Sequence, residues 1–373
     1  MKEVNRLLKI LITLTTGFAI VFPLGSPTLL YLFRIPALIV IMCIIICLVY
    51  HSFFIIGKDL LMLLLVISSI CLNFLQEPIP ININTIIPIV SILLFLLLII
   101  ISDKMILGKN VKKHIYVCTL LTSIVYILYS FSPVAHQDSD HHFSMYLILG
   151  LDNPNLTGII LFLLMSTIMI TRAVLQHKFL RLLTALIAGM LNILIFETNS
   201  RMALCAAIIV FLLSLSPKNI KISKFFRILC CSIPFIFPPL YMFYERHYDA
   251  VEFMGKSTMS GRTDVYLEHL NTLTSTDKIM FGNLLQNMFS NAHNAPLAIL
   301  CSIGVVGSVG FWLIVLRKFL SIRTVSQTSI LSVIVLLSCF IHSSAEAALF
   351  LGGFPCITYM FIFFVLAFQH DNE

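Results

Sequence analysis

Apolar residues in this chain come in long stretches that do not alternate every second position; Ile39 to Tyr50, Ile86 to Ile101 and Leu156 to Ile170 are examples. Alternation would mark the strands of a membrane barrel, and its absence over runs of this length predicts helices. About twelve segments are long enough, or nearly so, to cross a hydrocarbon core of about 30 Å. They fall near residues 7–24, 29–50, 59–75, 84–102, 114–132, 155–171, 179–197, 202–216, 225–244, 295–316, 327–343 and 347–368. The 202–216 segment is the shortest, and Arg34 and Pro36 make 29–50 the least regular. The run after Lys2-Glu3-Val4-Asn5-Arg6 reads as the first span rather than a secretory signal, because Phe22-Pro23-Leu24 is bulky where cleavage needs small residues.

Composition fixes the solvent. The chain is 59% hydrophobic and 11% charged, with a mean hydropathy of +1.01, whereas a soluble domain is about 25% charged. Apolar surface in that excess must face lipid, where backbone polar groups have to be satisfied inside helices. The expected fold class is therefore all-α, a polytopic helical membrane protein. The ten cysteines lie inside apolar stretches without a CxxC pair or a histidine at metal-ligand spacing, so they read as small hydrophobes. Neither a disulfide nor a structural zinc is expected.

Charge assigns the sides. With the N-terminus inside, most of the 24 lysines and arginines fall in inside segments, and only Arg201, Arg246, Lys256, Arg262 and Lys278 fall outside. An asymmetry kept across every alternating loop supports about twelve spans with both termini cytoplasmic. The net charge of +7 then reflects topology, and nucleic acid is not an expected partner.

Two outside segments exceed a simple connector. Ser132 to Asn155 is acidic and rich in histidine, with His136, Asp138, Asp140, His141 and His142. Residues 245–294 mix aromatic, apolar and charged side chains, which predicts short helices on the membrane surface over a cavity rather than disorder. The chain divides at 152/153 into N-terminal transmembrane helices (1–152) and a C-terminal region (153–373) that carries the candidate chemistry and the large loop.

Three outside constellations could carry that chemistry. Ser200-Arg201 sits at the tight turn between the seventh and eighth spans, where an arginine can equally snorkel to headgroups. Ser260-Gly261-Arg262 lies in the long loop, where glycine permits close backbone approach and arginine can fork onto phosphate oxygens, although a helix start also explains Gly-Arg. Asn291-Ala292-His293-Asn294 opens the tenth span, with Gly304 and Gly307 expected further along the same helix. Two guanidiniums suit a diphosphate, and an imidazole can take a proton from a hydroxyl near neutral pH. That combination describes glycosyl transfer from a lipid diphosphate.

In these residues the chain resembles the O-antigen polymerase and O-antigen ligase superfamily. The carriers are Ser200-Arg201, Gly261-Arg262 and His293-Asn294, followed at the family spacing by Gly304 and Gly307. The resemblance runs from Asn153 to about Gly307. Asn153-Pro154-Asn155 looks polymerase-like, whereas ligases more often have a second histidine where this chain has Asn291. The resemblance implies a GT-C-like fold with one large periplasmic loop, in the bacterial inner membrane, and a metal-independent, inverting glycosyltransferase. It implies His293, Arg262 and Arg201 as catalytic residues, and Ser200, Gly261 and Asn294 as substrate-binding ones. The donor would be an oligosaccharide on undecaprenyl diphosphate, with membrane lipid, a chain-length regulator and a flippase as further partners and no cofactor. Asp138-Ser139-Asp140 has the spacing of a metal-binding DxD, but nucleotide sugars are absent outside the membrane. The alternatives are a ligase that moves finished glycan to lipid A core and a lipid-linked glycan transporter. A transporter should show repeat symmetry and charges near the midplane, where this chain offers only Arg34 and Glu346 near its spans.

Overall fold

Among the described residues the expected apolar segments fall on helices, the last of them, 347–368, on two. The structure, a computed structural model, describes residues 2–21, 27–52, 57–76, 83–136, 146–149, 153–172, 175, 177–215, 220–248, 252–253, 256–257, 261–284, 292–351 and 354–369. The helices of the first half are α1 (Lys2–Val21), α2 (Pro27–Ser52), α3 (Gly57–Gln76), α4 (Ile83–Ile101) and α5 (Lys109–Ser130). Then come α6 (Pro154–Thr171), α7 (Lys178–Glu197), α8 (Arg201–Leu215) and α9 (Lys224–His247). The long loop contains α10 (Arg262–Asn271) and α11 (Thr276–Phe281), and the chain ends with α12 (Ala295–Ser321), α13 (Gln327–His342), α14 (Ala348–Leu351) and α15 (Phe354–Ala367). Two short strands, β1 (Glu252–Phe253) and β2 (Lys256–Ser257), pair antiparallel ahead of α10.

Among the described residues, 7 helices are long and apolar enough to cross a membrane, and 32–48, 201–215, 327–342 and 354–367 are shorter apolar helices. Their outward faces are apolar too. On α7 the inward face holds Ile187, Leu191 and Leu194, while Leu182, Leu186 and Ile193 point outward at 58–60% exposure. Water would penalise that second apolar face; lipid does not. The protein is thus built as a membrane-embedded helical bundle, with a continuous core that joins helices from both sides of residue 152.

Ion pairs and amide contacts gather at one end of the bundle. Arg317 pairs with Asp59 at 2.6 Å and Lys318 with Asp103 at 2.9 Å. Arg227 donates to the Ile322 carbonyl, Gln369 binds the Met105 carbonyl and the Leu107 N–H, and His114 meets the Lys9 carbonyl. The starts of α1, α3, α5, α9 and α13 and the ends of α4, α12 and α15 therefore share this end. It is the end to which charge asymmetry assigns the inside segments.

Helix α12 departs from the expectation of Gly304 and Gly307 along a regular helix. Ile303 (φ −122°, ψ 15°) and Gly304 (φ 62°, ψ −172°) are non-helical, so the helix breaks there. The end of α11 enters the gap. A Cβ on Gly304 would lie 2.4 Å from the Met280 carbonyl and the Phe281 nitrogen, and one on Gly282 would lie 2.4 Å from the Ser302 carbonyl. Asn283 donates to the Cys301 carbonyl, and Ser69 and Asn73 of α3 supply hydrogen bonds to the carbonyls of Ile303 and Phe281 and to the Leu284 N–H. Irregular backbone is tolerated in a membrane where it is buried in protein and satisfied, as here. Further along, a Cβ on Gly310 would lie 2.5 Å from the Met62 carbonyl, which shows how closely α12 packs on α3.

This joint makes a prediction. The Gly304 conformation is nearly exclusive to glycine and costs about 1–3 kcal/mol for another residue; overpacking against fixed backbone adds about 1–3 kcal/mol. Gly304→Ala should markedly lower the thermal stability of the detergent-solubilised protein. Gly261 also has positive φ (67°), but among the described residues no atom lies within 4 Å of its Cβ position, so Gly261→Ala should cost only the left-handed strain, about 1–2 kcal/mol. Equal stability for the two variants would refute the packed joint.

Candidate functional site

The three constellations share one local design: a left-handed residue immediately ahead of a helix start. Asn199 (φ 53°) precedes Ser200 and α8, Gly261 (φ 67°) precedes α10, and His293 (φ 49°) precedes Asn294 and α12. A left-handed residue turns the chain sharply, so that the side chain beside it projects past the end of the helix. Asparagine and histidine are among the non-glycine residues that tolerate this conformation best, at a small cost in strain. The helix α6 also starts nearby, with the Asn153 side chain accepting from the N–H groups of Asn155 and Leu156 and Pro154 in the first turn. Helix N-termini present free N–H groups and partial positive charge, a setting that favours anions.

His293, Glu346 and Asn155 come together. His293 Nδ1 lies 3.1 Å from Glu346 Oε1, and Asn155 Nδ2 donates to the same oxygen at 2.7 Å. The His293 side chain is 29% exposed and that of Glu346 only 7%. Glu346 lies in the turn between α13 and α14, its backbone N–H bonded to the His342 carbonyl. The turn is fixed to α12: Ala295 N–H donates to the Ser343 carbonyl and Asn294 Nδ2 to the Ser344 carbonyl.

Asn294, to which the resemblance gives a substrate-binding role, is bonded within the protein. It is fully buried, its Oδ1 caps α12 by accepting from Leu297 N–H, and its Nδ2 also reaches the Pro234 carbonyl at 2.9 Å. The last bond has a simple cause. Within α9 the Pro234 carbonyl would normally accept from residue 238, which is proline and has no N–H. Asn294 fills that vacancy and ties α9, α12 and the Glu346 turn together. Ser200 is likewise 2% exposed, packed where a Cβ on Gly158 would touch it, and its carbonyl starts α8 by accepting from Leu204. Both residues build the frame that aims Arg201 and His293. Gly261 is exposed, and among the described residues no atom approaches its Cβ position.

The arginines are within electrostatic range of groups around this cluster. Arg201 and Arg262 are near enough to repel each other, and Arg262 acts electrostatically on Tyr266 and His342. Glu346 acts on the same two residues, which links the arginine pair to the His293 side of the site. Helix α10 is held at its start by Glu245, whose Oε2 accepts from Thr263 N–H at 3.2 Å; a carboxylate there also suits the helix dipole. Burial pushes the Tyr266 phenol up to about 12, with Tyr241 and Glu346 adding to the effect and the Arg262 guanidinium opposing it. Tyr266 therefore keeps its proton at neutral pH, and its hydroxyl faces Arg262 without a well-formed hydrogen bond.

Glu346, Asn155, Tyr266 and Glu245 extend the site beyond the six residues expected to bind or react; Asn155 and Glu346 stood out in the sequence without a role at the site. The His342-x-x-x-Glu346 spacing, one helical turn at the end of α13, is the sequence signal that ties Glu346 to that helix end. Ser260, Asn291, Asp138, Ser139, Asp140, His141 and His142 lie outside the described residues. Compared with known protein families the chain matches none, and compared with curated proteins it finds no similar sequence. The chemistry of the cluster follows from its parts. Two guanidiniums at helix starts can hold a polyanion, and an imidazole beside a carboxylate can accept a proton.

Proposed function

We propose that this chain is a glycosyltransferase of the bacterial inner membrane that polymerises O-antigen or another surface polysaccharide, transferring a glycan chain from undecaprenyl diphosphate to a lipid-linked repeat unit. The reading includes about twelve crossings, a GT-C-like arrangement, both termini in the cytoplasm and residues 245–294 in the periplasm. The supporting observation is the His293–Glu346 contact, with Arg262 and Glu346 both acting electrostatically on Tyr266 and Arg262 on Arg201, at helix starts assigned to the side opposite the Asp59–Arg317 end.

The step balances within that cluster. The acceptor hydroxyl oxygen attacks the anomeric carbon of the donor glycan and forms the new glycosidic bond, while its proton passes to His293. The bond between the anomeric carbon and the diphosphate oxygen breaks, and the lipid diphosphate leaves with its electron pair. Arg201 and Arg262 stabilise the charge that develops on it. Attack opposite the leaving group inverts the anomeric centre.

A strain lacking the gene tests the assignment by the glycolipid it accumulates. A polymerase leaves lipid A core that carries a single repeat. Bare core accompanied by long lipid-linked chains would instead identify a ligase, and repeat units retained on the inner leaflet would identify a transporter.

A further inference from the structure

We infer that Glu346 is the positioning residue for His293: its carboxylate holds the Nδ1–H of the imidazole and so presents Nε2 as the atom that takes the acceptor proton. This rests on the glycosyl-transfer reading above and assigns a residue that neither the sequence motifs nor the family resemblance includes.

The argument begins with the backbone. His293 sits in a left-handed conformation directly before the α12 cap, so its direction is set by the chain and its ring has a limited arc to sweep. Within that arc the Glu346 carboxylate meets Nδ1 at 3.1 Å. An ionised carboxylate only accepts hydrogen bonds, so the nitrogen facing it must carry the proton. A neutral imidazole has one protonated nitrogen, which leaves Nε2 with the lone pair. When Nε2 takes the hydroxyl proton, the ring becomes a cation, and the neighbouring carboxylate stabilises it as the reaction proceeds.

Glu346 is itself held against movement. Asn155 Nδ2 binds the same Oε1 at 2.7 Å, and the turn that carries Glu346 is fastened by Ala295 N–H to the Ser343 carbonyl and by Asn294 to the Ser344 carbonyl. Asn155 belongs to α6 and Asn294 to α12, so the carboxylate is fixed from both sides of the site. A surface ion pair would lack this support; with a side chain only 7% exposed, Glu346 is a built part of the interior. Its neighbours Tyr266 and His342 are buried as well.

The test uses the full-length protein in lipid nanodiscs with lipid-linked repeat unit as donor and acceptor. Glu346→Gln keeps the volume and an oxygen that can accept from Asn155, but loses the charge. It should lower kcat by about tenfold to a hundredfold, leave KM nearly unchanged, and be partly rescued in Glu346→Asp. Independently of activity, 15N-histidine spectra of the wild type, with His293 assigned by difference against His293→Gln, should show Nδ1 protonated and Nε2 bare. Wild-type kcat in Glu346→Gln, with His293→Gln inactive, would overturn this inference and leave the proposed function standing. Wild-type kcat in His293→Gln would overturn the inference together with the base role of His293, and only a wild-type protein that transfers no glycan would overturn the proposed function. If Glu346→Gln does not fold, the wild-type spectrum decides, and a proton on Nε2 overturns the inference.

Discussion

His293→Gln should reduce polymerisation by about a hundredfold to ten-thousandfold, the usual contribution of a general base. Glutamine retains hydrogen-bonding ability and most of the side-chain length, yet it cannot accept a proton from a hydroxyl. The loss therefore isolates proton transfer from positioning. Donor binding should survive, because phosphate affinity is assigned to Arg201 and Arg262 rather than to the imidazole. Binding of radiolabelled lipid diphosphate to the variant, measured beside product length and yield in a reconstituted assay, separates the two effects. Full polymer length and yield would make His293 a positioning residue and move the base to a carboxylate. Glu346 would be the candidate, since Glu197 and Asp264 are exposed at the surface.

Arg201→Lys and Arg262→Lys should each cost about a hundredfold to a thousandfold in kcat, the range seen when one donor to a developing oxyanion is removed. Lysine keeps the charge but not the planar fork that grips two oxygens at once, and its ammonium is more strongly hydrated. Both arginines rise from the first position of their helices, so an ammonium on a flexible stem would also lose the fixed direction. The protein already bears the repulsion between the two guanidiniums, a cost that an anionic group bound between them would offset. Near-normal long-chain product in both variants would show that charge alone suffices.

Much of the architecture was legible in the apolar runs. A stretch such as Leu156 to Ile170 can satisfy its backbone in lipid only as a helix, and it is one; the expected segment 347–368 instead falls on two helices. Charge bias also anticipated which ends gather, since Lys58, Lys104, Arg227, Arg317 and Lys318 belong to the set assigned inside. The break in α12 was not legible. Gly304 and Gly307 in an apolar run read as helix-packing residues, and only the arrival of Phe281 and Gly282 from a distant loop makes one of them a backbone hinge.

The site divided in the same way. Arg201, Arg262 and His293 stood out because charge and imidazole are costly at a membrane boundary. Asn294 stood beside them in the motif, but its job depends on Pro238 denying a donor to the Pro234 carbonyl, a relation between helices that spacing cannot express. Glu346 was visible as a charge near a span. Its partner was hidden, because His293 lies 53 residues earlier in the chain.

The joint between α3 and the broken helix has a consequence for how the protein is made. Ser69 and Asn73 are buried, and their partners, Phe281 and Ile303, lie 208 to 234 residues later in the chain. At a synthesis rate of about 5–20 residues per second, α3 waits roughly 10–45 s in the membrane before these partners emerge, with only the local bond from Asn73 Nδ2 to the Ser69 carbonyl in place. During that interval the early helices form an unfinished surface, which invites degradation or assistance by an insertion chaperone. The last third of the chain thus completes the first third, and quality control of this protein is set by the time at which residues 281–304 arrive.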